Sequence, residues 1–259
     1  FVFDIDSDPK NLDPQYATTA SSRTVLCNIF EGLMKLDETG SPAVAAATDY
    51  TVNESGTEYI FHLKQDAVWS NGDSVTAGDF RYAFLRLFTP GAVSPNAAGF
   101  SCIKNAGAIL QGVLSPDALG VTAVDDYTLK IQLEYENPYF TELLCSPAAL
   151  PCNQKFFEST KGTYGLSPSS LIYNGFFALS TWSDQQLTLV CNESYRSSSG
   201  GESGISKLTF HILAEGEDRI SRFTSNQTDA ALLDAAQVAM IKNKGYNVSG
   251  SSNTVWMLV

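Results

Sequence analysis

The sequence predicts an α/β fold, and three observations predict it. Within residues 57–90 an alternating strand, a tight turn and a capped amphipathic helix follow one another, and strand and helix patterns go on interleaving through the chain. Tyr59, Phe61 and Leu63 alternate with Ile60, His62 and Lys64, the period of a strand with two unequal faces. Ser70-Asn71-Gly72-Asp73 is turn chemistry, because Asn and Gly tolerate the positive φ of tight turns. Thr76 stands at an N-cap position with Asp79 three residues on, the spacing of a capping box. Phe80, Ala83, Phe84 and Leu87 then fall on one helical stripe.

The other elements follow in order. Residues 1–42 hold a first strand over Phe1–Ile5, a helix from about Ser22 and a return strand at Leu33–Leu36. Pro42 opens a second block, residues 43–160, made of hairpins and helices. In it Val121–Val124 and Tyr127–Leu133 form a hairpin across Asp125-Asp126, and Asn137-Pro138 reads as the N-cap and first position of a helix. Gly, Ser, Thr and Pro concentrate over Gly162–Pro168, a loop back toward the first part. Within residues 161–259 strands are expected near 172–181, 186–191 and 207–213, then a helix over about Asp218–Thr224 and a short strand at Ala230–Leu233. A helix of about Ala235–Lys244 and a terminal apolar strand, Asn253–Val259, complete the pattern. Ser197–Gly204 reads as a flexible loop.

Composition excludes several classes. A hydrophobic content of 44% with 17% charged residues suits a chain with a sizeable core, of one or two domains. No apolar run approaches the roughly 18 residues of a membrane span. A net charge of −12 argues against nucleic acid, whose phosphates need clustered Lys and Arg. The five cysteines, at 27, 102, 145, 152 and 191, show no CxxC spacing, which argues against zinc. Cys145 and Cys152 leave a small looped disulfide open, with mostly reduced thiols the preferred reading. His62 and His211 both fall on strands and read as strand-face residues. Neither GxSxG, HExxH nor a P-loop occurs, so these enzyme classes lack their local signatures. Asp4, Asp6 and Asp8 imitate the start of a calcium loop, but Pro9 and Gln15 stand where Gly and Glu are needed.

One resemblance covers nearly the whole chain. Tyr59-Ile60-Phe61-His62-Leu63, Trp69-Ser70-Asn71-Gly72 and Val75-Thr76-Ala77-Gly78-Asp79-Phe80 resemble, in order and spacing, the signature of the family-5 extracellular solute-binding proteins. These are the oligopeptide-, dipeptide- and nickel-binding components of ABC importers. Asn11-Leu12-Asp13-Pro14, Phe30-Glu31-Gly32-Leu33, Val121–Leu133 and Tyr173–Leu179 resemble further motifs of that family. Leu189–Tyr195 resembles a motif ending in Tyr-Trp, with Arg196 replacing the Trp. The resemblance implies a type II periplasmic-binding-protein-like lobe with a mixed sheet, discontinuous around an inserted α+β subdomain. Residues 1–42 are then the first part of the lobe, 43–160 the subdomain and 161–259 the second part, truncated at the crossing to an absent second large lobe.

It also implies a non-enzymatic, extracytoplasmic binder, periplasmic or a cell-surface lipoprotein whose signal region is absent from this chain. Such a monomer captures peptides between two lobes and delivers them to an ABC permease, with no cofactor and no metal. A nickel, haem or oligosaccharide binder on the same scaffold is the alternative, and a peptide-processing hydrolase a more distant one. Three places are candidate ligand contacts. Glu31, with Gly32 and Leu33, sits at a helix-to-strand junction that aims a carboxylate into a cleft, and the matching acid of peptide binders faces ligand. Asn174, Gly175 and Phe176 offer main chain to an extended peptide. Phe100 lies where peptide binders supply aromatic groups, though a core role suits it better.

Overall fold

The computed structural model describes residues 1–195, 204–241 and 245–247. Along them run β1 (Val2–Ile5), α1 (Ala20–Ile29), β2 (Met34–Leu36), β3 (Pro42–Val44), β4 (Ala47–Val52), β5 (Glu58–Leu63) and α2 (Ala77–Leu87). Next come α3 (Ala106–Leu110), β6 (Val121–Asp125), β7 (Thr128–Gln132), α4 (Phe140–Leu143) and α5 (Gln154–Ser159). The rest comprises β8 (Phe177–Trp182), β9 (Gln186–Cys191), β10 (Lys207–Ile212), α6 (Arg219–Thr224) and α7 (Ala235–Ile241).

Two four-stranded sheets organise these elements. One has the order β1-β10-β9-β8, with β1 parallel to β10 and the other pairs antiparallel, so the sheet is mixed. The other, β4-β5-β7-β6, is antiparallel throughout. A two-stranded ribbon, β2 with β3, lies between them in sequence. A continuous apolar core includes Ile5 and Phe210 from the first sheet and Phe61 and Leu129 from the second.

The signature stretch builds one wall of that core. Tyr59, Phe61 and Leu63 are buried on β5, and Phe80, Ala83, Phe84 and Leu87 are fully buried on α2. Asp79 accepts the Thr76 backbone N–H at 2.8 Å and the indole N–H of fully buried Trp69 at 3.2 Å. One carboxylate therefore caps the helix and satisfies a polar atom that burial would otherwise strand.

Several expected elements shift for local reasons. The strand expected near 172 begins at Phe177, because residues before it bond to other segments. The Tyr173 N–H donates to Ser70 Oγ at 3.0 Å, and the Gly175 N–H to the Ile29 carbonyl at 3.0 Å. The helix expected at Asn137-Pro138 starts at Phe140, because Asn137 Oδ1 accepts the Tyr139 N–H at 3.1 Å in a turn ahead of it. Leu33–Leu36 shortens to β2 and pairs with β3. Of the strand expected at Ala230–Leu233, a single bridge from Phe3 to Ala230 forms. His62 lies on β5 beside Asp49, and His211 on β10 beside Glu217. Asn253–Val259 and most of Ser197–Gly204 lie outside the described residues. The five cysteines stand as free thiols.

An irregular segment, residues 11–17, is stitched to the second block by buried polar groups. Arg86 on α2 donates to both carboxylate oxygens of Asp13, and its guanidinium lies 4.0 Å over the Phe157 ring. Gln15 is fully buried, and its Nε2 donates to the carbonyls of Leu150 at 2.9 Å and Ala148 at 3.3 Å. Its own carbonyl accepts from Ser94 Oγ and from Asn96 Nδ2. Asn96 Nδ2 reaches the Ala17 carbonyl as well, at 3.1 Å. These bonds fix the approach to α1 from which the site is built.

Candidate functional site

α1 is capped by Thr19, whose side chain accepts the Ser22 N–H at 3.0 Å. Ser21, Ser22, Val25, Leu26 and Ile29 turn inward. Residues 20, 23, 24 and 27 form the opposite face by the three- and four-residue spacing of a helix, and that face lines a groove.

The groove consists of two cavities that meet at Arg23, Ser146 and Pro147. The first, of about 360 Å³, lies between α1, the end of β1 and the stretch Glu142–Cys145. The second, of about 270 Å³, is walled by Ala17, Asn96, Gly99, Phe100, Leu143 and Ala148. Its sides are the segments that Gln15 and Asn96 tie together, so a hydrogen-bonded frame holds the cavity open.

Charge is distributed unevenly along it. Asp4 and Asp6 face the first cavity but are held by Arg222, at 3.1 Å, and by Arg219. Glu142 and Arg23 have no ion-pair partner among the described residues. Cys27 borders the first cavity on an exposed helix face, yet desolvation of its sulfur, opposed by nearby Arg23, pushes the thiol up to about 11. Burial and the Glu142 charge push Cys145 to about 12. Both sulfurs are protonated at neutral pH, and the wall they form is apolar and not nucleophilic. Among the described residues, no three His, Cys, Asp or Glu side chains come together in a way that would hold a metal ion.

Six of the seven residues expected to touch ligand gather elsewhere, behind the C-terminus of α1. Glu31 directs its carboxylate to Lys64 Nζ at 3.5 Å, with the two side chains 11% and 15% exposed. Asn174 grips the Glu31 main chain, accepting its N–H at 3.1 Å and donating to its carbonyl at 2.8 Å. Gly32 is buried, and its carbonyl accepts the Ala46 N–H at 2.8 Å, while Leu33 is fully buried. A Cβ on Gly175 would lie 2.6 Å from the Ile29 carbonyl carbon and 2.7 Å from the Phe30 nitrogen. Both main-chain polar groups of Gly175 are engaged, the carbonyl by Asn192 Nδ2 at 3.0 Å. Phe176 packs on Phe177 and Tyr195.

Phe100 does line the second cavity, with its ring edge-on to Phe84 at 5.6 Å and only 2% of the residue exposed. Arg23, Asn96, Gly99, Ser146 and Pro147 were not singled out from sequence. The one local signal for them was the outward spacing of residues 20, 23, 24 and 27.

The two cavities, one of them framed by hydrogen bonds, lie on a lobe with a mixed sheet. Residues 41–259 match the bacterial extracellular solute-binding proteins, family 5 middle region, and the chain belongs to this family. It is a family of extracytoplasmic solute binders and not of enzymes. The probable deoxycholate-binding periplasmic protein YgiS of Escherichia coli K12 is 30% identical over 93% of this chain and 45% of its own length. The dipeptide-binding protein of Lactococcus lactis subsp. cremoris MG1363 is 30% identical over 97% of this chain and 47% of its own. The substrate-binding domain of an oligopeptide ABC transporter from Bacillus anthracis Ames superposes with a TM-score of 0.86. It is 35% identical, over 94% of this chain and 47% of that one. The chain thus spans about half the length of the relatives it matches.

Proposed function

We propose that this chain supplies one wall of the ligand cleft of a peptide-binding component of an ABC importer. It captures oligopeptides or dipeptides outside the cytoplasm, as a monomer, and passes them to a membrane permease. The observation that carries this reading is the pair of cavities, one along α1 and one beside it, that meet at Arg23, Ser146 and Pro147. Relatives described as dipeptide- and oligopeptide-binding support it.

In this reading residues 1–42 and 161–259 are two parts of one lobe, and 43–160 is a subdomain inserted between them. Phe100 is an apolar ligand contact. Glu31, Gly32, Leu33, Asn174, Gly175 and Phe176 form a support that seats α1 behind the groove. Nucleic acid is no partner of a chain with net charge −12.

Gly99 provides the test, because it lines the second cavity and a Cβ there meets nothing within 4 Å. Gly99→Leu in the complete protein adds apolar bulk at the cavity wall, starting from a Cβ with open space around it. Calorimetry with di- to pentapeptides is expected to show affinity lowered at least about tenfold, with an unchanged melting temperature. Unchanged affinity would remove the groove from the site. A bile-acid ligand is the second reading, favoured by the apolar lining and by the relative described as deoxycholate-binding. Deoxycholate in the same titration, binding where peptides do not, would select it.

A further inference from the structure

Arg23 is the charge at the middle of the groove, where it lines both cavities together with Ser146 and Pro147. The other arginines among the described residues each face a carboxylate: Arg81 has Asp117, Arg86 has Asp13, Arg219 has Asp6 and Arg222 has Asp4. Arg23 is exposed and has neither an ion-pair nor a side-chain hydrogen-bond partner among them, so its charge is open to a ligand. Its place is also locally unfavourable. It stands in the first turn of α1, which holds no acid, and a cation there faces the positive end of the helix dipole.

The surroundings give that charge a direction. No Asp or Glu lines the second cavity, whereas Asp4, Asp6 and Glu142 line the first. Phe100, Leu143 and Ala148 line the same cavity as Arg23. A ligand seated there displaces water, and attraction between opposite charges rises as the medium becomes less polar. The planar fork of Arg matches the two oxygens of a carboxylate, and the adjacent Ser146 hydroxyl offers another donor.

Resting on the peptide reading above, we infer that Arg23 selects ligands that place a carboxylate where the two cavities meet. Its source is an acidic side chain or the peptide's own C-terminus.

The experiment uses the complete protein, wild type, Arg23→Gln and Arg23→Lys, titrated with alanine-based tetrapeptides. Each peptide carries Glu or the isosteric Gln at one position in turn, and each is made as free acid and as C-terminal amide. The wild type is expected to favour one carboxylate-bearing member over its neutral counterpart by about tenfold. Arg23→Gln should erase that preference, and Arg23→Lys should keep part of it. A preference read between Glu and Gln assigns the side chain, and one read between acid and amide assigns the terminus. Equal binding of all members, or a preference that survives in Arg23→Gln, overturns the role of Arg23 and leaves the peptide reading standing. Absence of peptide binding by the wild type overturns that reading and this inference with it.

Discussion

Arg86 grips Asp13 from 73 positions along the chain, donating from both terminal nitrogens to both carboxylate oxygens, and the pair is buried. Removing one member leaves the other charge uncompensated in a medium that solvates it poorly. Arg86→Met is therefore expected to lower stability by about 3–5 kcal/mol in urea unfolding. The double variant Asp13→Asn with Arg86→Met should recover part of this, since no buried charge remains. A loss below about 1 kcal/mol in the single variant would show that the pair is solvated.

Gly175→Ala tests the seat of α1. The added carbon meets main-chain atoms of Ile29 and Phe30, which cannot rotate aside as a side chain would. A loss of at least about 1–3 kcal/mol in thermal unfolding is expected. Gly99→Ala, with open space around its Cβ, should melt like the wild type.

Glu31→Gln separates a structural acid from a ligand contact. Its partly buried pair with Lys64 ranks between exposed pairs and fully buried ones, so a stability loss of about 1–3 kcal/mol is expected. Peptide affinity measured on the folded variant should change little. A fall in affinity with no shift in melting would make Glu31 a ligand contact.

The thiols yield a prediction in pH. Desolvation pushes Cys152 up to about 12 against the opposing charge of Arg86, and it pushes Cys145 to about 12 and Cys27 to about 11. At pH 8 only about one in a thousand Cys27 sulfurs is thiolate, by simple titration. Exposed Cys191 should be alkylated first, and mass spectrometry over time reads the order. Folded thiols keep protons that unfolded ones release above the ordinary value of 9.0, so stability should fall as pH rises from there toward about 12. Rapid labelling of Cys152 in the native protein at pH 8 would contradict its placement.

What the sequence disclosed was local. Thr76, Asp79 and the stripe Phe80, Ala83, Phe84 and Leu87 lie within a few residues of each other, so spacing alone placed the cap and the buried face. The family signature carried the fold further than periodicity did. Asn174 holding Glu31 spans 143 positions, and no pattern within either segment announces it. The groove escaped for the same reason, since Ala17, Asn96, Gly99 and Ser146 converge only after folding. Phe100 lay in reach because its segment was recognised, but its orientation depended on Phe84 across the core.

Gln15 has a consequence for ligand choice. One buried amide and its carbonyl reach Ser94, Asn96, Ala148 and Leu150, and two of these, Asn96 and Ala148, stand on rims of the second cavity. Spreading those rims would break several of these bonds together, so the cavity keeps a constant bore. Under the proposed peptide reading, a ligand group there would be sorted by calibre as a sieve sorts grains. Tolerance for varied residues would then fall to the larger first cavity, giving each bound molecule a fixed end and a forgiving one.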